Sequence, residues 1–433
     1  MDIENLESLD IELPSEFDGL PVFLVGGATR DCIRGLEPKD YDLMVAEVTP
    51  SEMESRGFLE IDNANNDTFA VFQDSLGREV AIAREEESTG DAHDEFAVEP
   101  VPASVEAGEA VSRDLKRRDF SVNAMAFDVR WETLHDPHGG VQDLEDGVLR
   151  AVDESAFRQD PLRILRGARF SARLDAEIEP ATKSLMTNMV SELDSLPQER
   201  VRMELEKCLV QADEPSRFFR ILDDIGALKT TFPELHELKG VPAGPPEYHQ
   251  EGDSFDHTMM VLDEMKKLRP NDELALLMSI SHDMGKAATE QSQWPNHPRH
   301  QMTGVPILRD MAERLGMSNE QENAMVEACR LHMRFHDVED LRSSTVVDMW
   351  QEMRNFHRLV SLAVADSRGR EPAGEFNREL STDRFDAARR ACDEWTGQRL
   401  IEEGHDPDDM GGEQFGNLLH QKRVERMREL EDD

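Results

Sequence analysis

The chain has 433 residues, with 92 acidic side chains against 48 basic ones and a formal net charge of −44, a length that exceeds one compact core and suits two to four domains. Hydrophobic residues make up 38%, enough for real cores, and no segment reaches the unbroken apolar run of a membrane span. The acidic start MDIENLESLDIELPSEFDG lacks the basic and apolar parts of a secretion signal. The 4 cysteines (Cys32, Cys208, Cys329, Cys392) lie too far apart for a disulfide framework or a thiolate zinc site. These features exclude secreted and membrane classes and point to the cytoplasm.

In chain order, residues 21–25 form a short apolar run ending at Gly26-Gly27, read as a strand, with a helix over 29–35. Residues 41–45, 69–72 and 79–83 read as further strands. The Gly/Glu/Asp-rich stretch 85–108 reads as a mobile loop. From about Pro137 the pattern turns helical: Leu162, Leu165, Ala168, Arg169 and Ala172 form a stripe, and 201–209 and 218–228 form others. The Pro/Gly cluster 240–246 reads as a linker, a helical block follows over 257–370, and a last charged helix covers 412–430.

The string Gly26-Gly27-Ala28-Thr29-Arg30-Asp31 leads from strand to helix. Glycines there let the backbone approach a phosphate, the helix N-terminus offers free N–H groups, and Arg30 adds a forked cation. Asp40-Tyr41-Asp42 then enters a strand, where residues i and i+2 share a face. Two carboxylates so placed can hold a pair of divalent ions about 3.5–4 Å apart, one activating a 3′-hydroxyl and the other steadying pyrophosphate. Further on come Arg113-Asp114-Leu115-Lys116-Arg117-Arg118-Asp119-Phe120-Ser121-Val122-Asn123-Ala124-Met125-Ala126, which holds an Arg-Arg-Asp-x-x-x-Asn-Ala motif, and Gln159-Asp160-Pro161-Leu162-Arg163-Ile164-Leu165-Arg166-Gly167-Ala168-Arg169-Phe170. Asp160 and Arg163 are i and i+3 on one helix face. A carboxylate accepts and a guanidinium donates, which suits the amino donor and ring-nitrogen acceptor of cytosine and adenine and rejects uracil and guanine by about 10⁴-fold.

Across residues 22–209 these strings resemble the class II tRNA nucleotidyltransferases, the CCA-adding family that shares its head with bacterial poly(A) polymerases. The resemblance implies that Gly26, Gly27 and Arg30 contact nucleotide, that Asp40 and Asp42 bind catalytic Mg²⁺, that Arg118, Arg166 and Arg169 make triphosphate or other nucleotide contacts, and that Asp160 and Arg163 read the base. It implies template-independent addition of C, C and A to the tRNA 3′ end from CTP and ATP. The alternatives within the same chemistry are a poly(A) polymerase and a partial, A-adding or CC-adding, enzyme. One departure is Gln159, where the family usually carries Glu.

The order His257…His282-Asp283…Asp366 resembles the HD phosphohydrolases, where four such side chains bind a divalent ion. Imidazole with carboxylate suits Ni, Mn, Fe or Zn more than Mg alone, and a metal-bound water can attack a phosphate ester. His297 and His300, with His332 and His336 at i and i+4, add candidates; His300, His332 and His336 would form a second HD metal position. Relatives with such a tail imply 2′,3′-cyclic phosphodiesterase, 2′-nucleotidase and phosphatase activities.

The expected fold is α+β: a nucleotidyltransferase head with a mixed β-sheet over 1–135, an all-α neck and body over 136–240, an α-helical HD domain over 241–380 and a helical tail over 381–433. The expected partners are tRNA, CTP and ATP, without DNA or membrane, in a monomer or homodimer. Carboxylate excess with little lysine fits a protein kept soluble in concentrated salt, by hydration and screened self-repulsion. A halophilic host and a merely acidic protein are the two readings, and the salt dependence of folding separates them.

Overall fold

The computed structural model describes residues 4–38, 40–61, 70–88, 96–247, 249–336, 338–370 and 382–432. The chain folds as two compact units, Met1–Leu196 with Asp224–Ala227, and Pro197–Asp223 with Leu228–Asp433. The boundary falls inside the span 136–240 expected as one neck and body. The helix Leu162–Leu174 belongs with the first unit, where its Phe170 meets Phe120. The helix Gln198–Gln211 instead packs on Glu273–Ser281 and His300–Leu315.

The first unit is built on a mixed sheet, so the chain is α+β as expected. Its strands are β1 (Val22–Val25), β2 (Leu43–Val45), β3 (Leu59–Ile61), β4 (Val71–Gln73), β5 (Glu79–Ile82), β8 (Ala126–Asp128) and β9 (Thr133–His135), ordered β3-β4-β5-β2-β1-β8-β9. Two more strands, β6 (Arg84–Ser88) and β7 (Phe96–Pro100), form a separate antiparallel pair. The stretch 85–108 is therefore no loop throughout: Arg84 pairs with Pro100 and Ser88 with Phe96, and a helix opens at Ala107. The polar strand Arg84–Ser88 pairs through its backbone with the more apolar Phe96–Pro100, a ladder that side-chain composition does not announce. Residues 69 and 89–95 lie outside the described residues.

β1 runs antiparallel to both β2 and β8, with Leu24 opposite Leu43 and Phe127. All four of its residues are buried, as expected of a central strand covered on both faces. On one face Phe23, Val25 and Met44 pack against Ala110, Val111 and Leu115 of helix α2 (Ala107–Lys116). Helix α1 (Gly26–Ile33) follows β1 directly, three residues ahead of the expected start, because Gly26 itself takes up the turn at φ +67°. Helix α3 (Leu162–Leu174) carries the second motif block.

The second unit is helical among its described residues. Helices α4 (Ser254–Leu268), α6 (His300–Leu315), α7 (Asn319–His336) and α8 (Phe356–Arg368) carry His257, His300, His332 and Asp366, while His282 and Asp283 follow the end of α5 (Glu273–Ser281). α5 and α6 pack on α7, while α4 packs on α5 and α8. The apolar stretch of α5 is buried on every side from Ala275 to Ser281, which makes it the central helix of this unit. No helix among the described residues is long and apolar enough to cross a membrane.

Candidate functional sites

In the first unit the glycine turn and the second aspartate meet. An added Cβ on Gly26 would lie 3.2 Å from Arg118 Nη1 and 3.7 Å from Asp42 Oδ2. At φ +67° a side chain would also be strained. Asp40 lies in a bend and Asp42 in irregular chain just ahead of β2, so strand alternation does not by itself set their directions. The backbone nevertheless joins the ladder at Asp42, whose carbonyl accepts Val25 N–H at 3.0 Å. Asp42 has an open edge to solvent, but protein crowds its other sides. That burial raises its pKa, Glu79 and Asp40 add to the rise, and Arg118 and Arg30 oppose it. Glu79 carries no signal in the sequence. The parallel register Leu43–Val80 brings it beside Asp42.

The arginines are seated by carboxylates. Arg30 is 1% exposed; its Nε donates to Asp31 at 2.9 Å and its Nη1 to Asn123 Oδ1 at 2.5 Å. Burial lowers its pKa to about 10. Arg117 and Arg118 grip the two oxygens of buried Asp114 at 2.6 and 2.9 Å. Arg166 holds Asp119 Oδ2 at 2.6 Å, and the other oxygen of Asp119 accepts from Phe120 N–H (2.8 Å) and from Asn123 Nδ2 (3.0 Å). Burial alone would raise both aspartates, but the guanidinium charges outweigh it and bring Asp114 and Asp119 to about 2.

Arg163 Nη2 donates to the Arg117 carbonyl at 2.6 Å. Asp160 precedes the first residue of α3 rather than lying on its face. Its Oδ1 accepts Leu162 N–H at 3.0 Å, and its carbonyl accepts Arg163 N–H at 3.0 Å, so it caps the helix that carries Arg163. Arg166 and Arg169 approach the Phe170 ring at 5.3 and 4.2 Å. Asp114, Asp119 and Asn123 are the seats that sequence reading left without roles, although the last two stand in the motif itself.

In the second unit the histidines and aspartates predicted for a metal converge. His257 Nε2 lies 3.1 Å from Asp366 Oδ1 and 3.6 Å from Asp283 Oδ2. His282 Nε2 lies 3.2 Å from Asp283 Oδ2. The other oxygen, Asp283 Oδ1, lies 3.4 Å from both His300 Nε2 and His332 Nε2. Three donor sets result among the described residues: His257–His282–Asp366, Asp283–His300–His332, and His249–Glu251–His257, which shares His257 with the first. The side chain of His336 lies outside the described residues, and Asp283 is the carboxylate found with His300 and His332.

These residues fit divalent ions on three counts. Each Nδ1 is turned to a backbone carbonyl: His257 to Gly369 (3.2 Å), His282 to Ser279 (2.7 Å), His300 to His297 (2.8 Å) and His332 to Cys329 (3.0 Å). With an ion bound, Nδ1 would donate to that carbonyl and Nε2 would present its lone pair inward. His282 Nε2 is buried and makes no well-aligned hydrogen bond, although Asp283 Oδ2 stands 3.2 Å away, and a ring nitrogen and a carboxylate oxygen so placed suit a shared cation. Finally, His300 Nε2 and His332 Nε2 face each other at 3.1 Å, two lone pairs that need a cation or a proton between them. Burial lowers His332 to about 4, against the pull of Asp283. Asp283 is held well below the usual carboxylate range: burial opposes this, and Lys286 and His282 prevail.

Two glycines allow the approach. A Cβ on Gly285 would fall 1.9 Å from His300 O, and one on Gly304 would fall 2.5 Å from Cys329 Sγ. The turn after Asp283 can thus press against α6. The Pro/Gly segment read as a linker instead walls the site: Ala243, Gly244 and Pro245 line a cavity of about 210 Å³ with His249, Lys286 and Arg370. Glu251, also missed, accepts from His249 Nδ1 at 2.7 Å and lies 3.0 Å from His257 Nδ1. Burial opposes protonation of His257, but Asp366 and Glu251 raise its pKa to about 9. No periodicity in sequence marks Glu251, because it lies in irregular chain ahead of α4.

Family models match three segments: a poly(A) polymerase head domain over residues 22–150, a probable RNA- and SrmB-binding site of polymerase A over 175–239, and an HD domain over 254–370. The chain is 39% identical to the multifunctional CCA protein of Stenotrophomonas maltophilia (strain R551-3) over 363 residues, covering 81% of this chain and 86% of that protein. It has the same identity and coverage with the multifunctional CCA protein of Xanthomonas campestris pv. campestris (strain B100). Its fold is similar to that of the Thermotoga maritima CCA-adding enzyme complexed with tRNA (TM-score 0.61, 20% identity, 100% of this chain and 95% of that one). A CCA-adding enzyme in complex with CTP is similar too (TM-score 0.62, 20% identity, 99% and 94%).

Proposed function

This chain belongs to the multifunctional CCA protein family, and on that premise we propose that its first unit adds C, C and A to the tRNA 3′ end by a two-metal transfer while its second unit hydrolyses phosphate esters. As a member the chain is a CCA tRNA nucleotidyltransferase. The observation that carries the site reading is the meeting of Gly26, Arg118 and Asp42. Backbone, guanidinium and carboxylate stand within van der Waals reach of one point there.

In this reading Gly26, Gly27 and Arg30 cradle the triphosphate, and Arg118, Arg166 and Arg169 neutralise its charge. Asp40 and Asp42 hold Mg²⁺, which supplies Lewis acidity to the attacking 3′-hydroxyl and the departing pyrophosphate. The raised pKa of Asp42 supports that role: burial and then the neighbouring Glu79 and Asp40 carboxylates disfavour its charge, and a divalent cation would offset both. Asp160 and Arg163 present the edge that accepts C and A. CTP, ATP and tRNA are the ligands named for the structural relatives.

For the second unit, His257, His282, Asp283 and Asp366 would hold one divalent transition ion, and Asp283, His300 and His332 a second. A metal there supplies an activated water. Lys286 and Arg370, on the cavity wall, would bind the ester's phosphate oxygens. A 2′,3′-cyclic phosphate or a 2′-phosphate at an RNA end fits this chemistry.

The test is labelled CTP and ATP supplied to tRNA lacking its terminal triplet. Ordered C, C, A addition is expected, and Asp40→Ala with Asp42→Ala should abolish it. A run of A, or C alone, would place the chain among the poly(A)-adding or partial enzymes. Asp283→Ala should remove ester hydrolysis and spare incorporation. Joint loss of both activities in either variant would refute two independent sites.

A further inference from the structure

One buried ring in the first unit is shared by guanidiniums from two helices. Arg30 of α1 and Arg166 of α3 each place Cζ 5.3 Å from the centroid of Phe170, and Arg169 places it at 4.2 Å. Phe170 is 5% exposed, and it is wedged edge-on against Phe120 at 5.9 Å. Gly167 lets that wedge close, since a Cβ there would lie 3.1 Å from Phe120 Cζ.

The ring also completes a circuit. Arg30 bonds Asn123, Asn123 bonds Asp119, and Asp119 bonds Arg166. Arg166 and Arg30 then both meet Phe170. The helix after the glycine turn is thereby joined to the helix that carries Arg163 through side chains alone.

Three like charges around one point repel. An aromatic ring is the apolar group that can sit among them with net attraction, because its negative faces draw guanidinium groups. Leucine fills a similar volume and has no such face.

We propose that Phe170 is a positioning residue for nucleotidyl transfer: its ring, rather than its bulk, holds Arg30, Arg166 and Arg169 in register for the triphosphate. This rests on the reading of the first unit as the nucleotide site. Because the guanidiniums would address phosphates and not bases, CTP and ATP are affected alike.

The experiment replaces Phe170 with 3,4,5-trifluorophenylalanine and pentafluorophenylalanine, which drain the ring's negative face with little change of shape, and with leucine. KM for CTP and for ATP should rise stepwise with fluorination, reaching about tenfold, the scale expected for losing desolvated cation–π contacts. KM for tRNA should stay constant. Thermal unfolding of the fluorinated proteins within a few degrees of the parent would exclude a packing effect. Unchanged nucleotide KM in the pentafluoro protein overturns the proposal, whatever Phe170→Leu does. Asp42→Ala is run alongside: incorporation surviving in that variant sinks the site reading itself, an outcome distinct from a flat fluorination series.

Discussion

Asp119→Asn isolates the charge at the centre of the first unit. The carboxylate is 5% exposed and takes hydrogen bonds from Arg166, Phe120 N–H and Asn123. Its pKa falls from 3.8 to about 2 on folding: burial pushes upward, and Arg166 with Asn123 outweighs it. That shift is about two pKa units, each about 1.4 kcal/mol, so the ionised group contributes roughly 2–3 kcal/mol to folding. Because the folded pKa is the lower one, this stability is fully present above pH 3.8 and disappears as pH falls through about 2. An asparagine keeps the shape but turns an amide N–H toward Arg166, leaving donor against donor.

The expected loss at pH 7 is therefore roughly 2–3 kcal/mol, or about 5–10 °C in melting temperature for a unit of this size. Urea unfolding, read from hydrogen-exchange protection of peptides spanning β1 and α3, measures it without interference from the second unit. The gap between parent and variant should hold constant from pH 7 to pH 5 and shrink below pH 4. KM for CTP and ATP should rise with it, since Arg166 and Asn123 lose their seat. A loss under about 1 kcal/mol, or a gap independent of pH down to 3, would refute the account of Asp119 as an anchoring charge.

Three further outcomes follow from particular positions. Gly26→Ala meets both a positive φ and Arg118 at 3.2 Å; steady-state kinetics should show CTP and ATP KM raised at least tenfold, for about 1–2 kcal/mol of backbone strain plus displacement of the arginine. Glu251→Gln weakens the partner of His257 and His249, and competition with a chromophoric chelator should show metal affinity in the second unit falling about 10- to 100-fold, with incorporation untouched. For the chain's −44 charge, circular dichroism across a KCl series should show structure gained from dilute buffer to molar salt if the surface is halophilic, and a flat response if it is merely acidic.

The sequence by itself determined the class of fold and the chemistry. Periodicity of two, then of 3.6, separates the sheet of the first unit from the helices of the second, because these repeats follow from backbone geometry. The residue types at Asp40, Asp42, His257, His282, Asp283 and Asp366 speak for metal-assisted phosphate chemistry because few other groups can do it. Local rules erred where composition hid the role: the Glu-rich 85–108 reads as a loop but holds β6 and β7, and the Pro/Gly-rich 240–246 reads as a linker but lines the cavity beside Asp283.

Tertiary structure alone decided who stands beside whom. Glu79 reaches Asp42 through a parallel register, Glu251 reaches His257 from irregular chain, and Phe170 reaches Arg30 across 140 residues of sequence. Each is a meeting of positions with no local relation, fixed by how buried elements pack. A single sequence records the residues that meet in this way but carries no term for the distance between them.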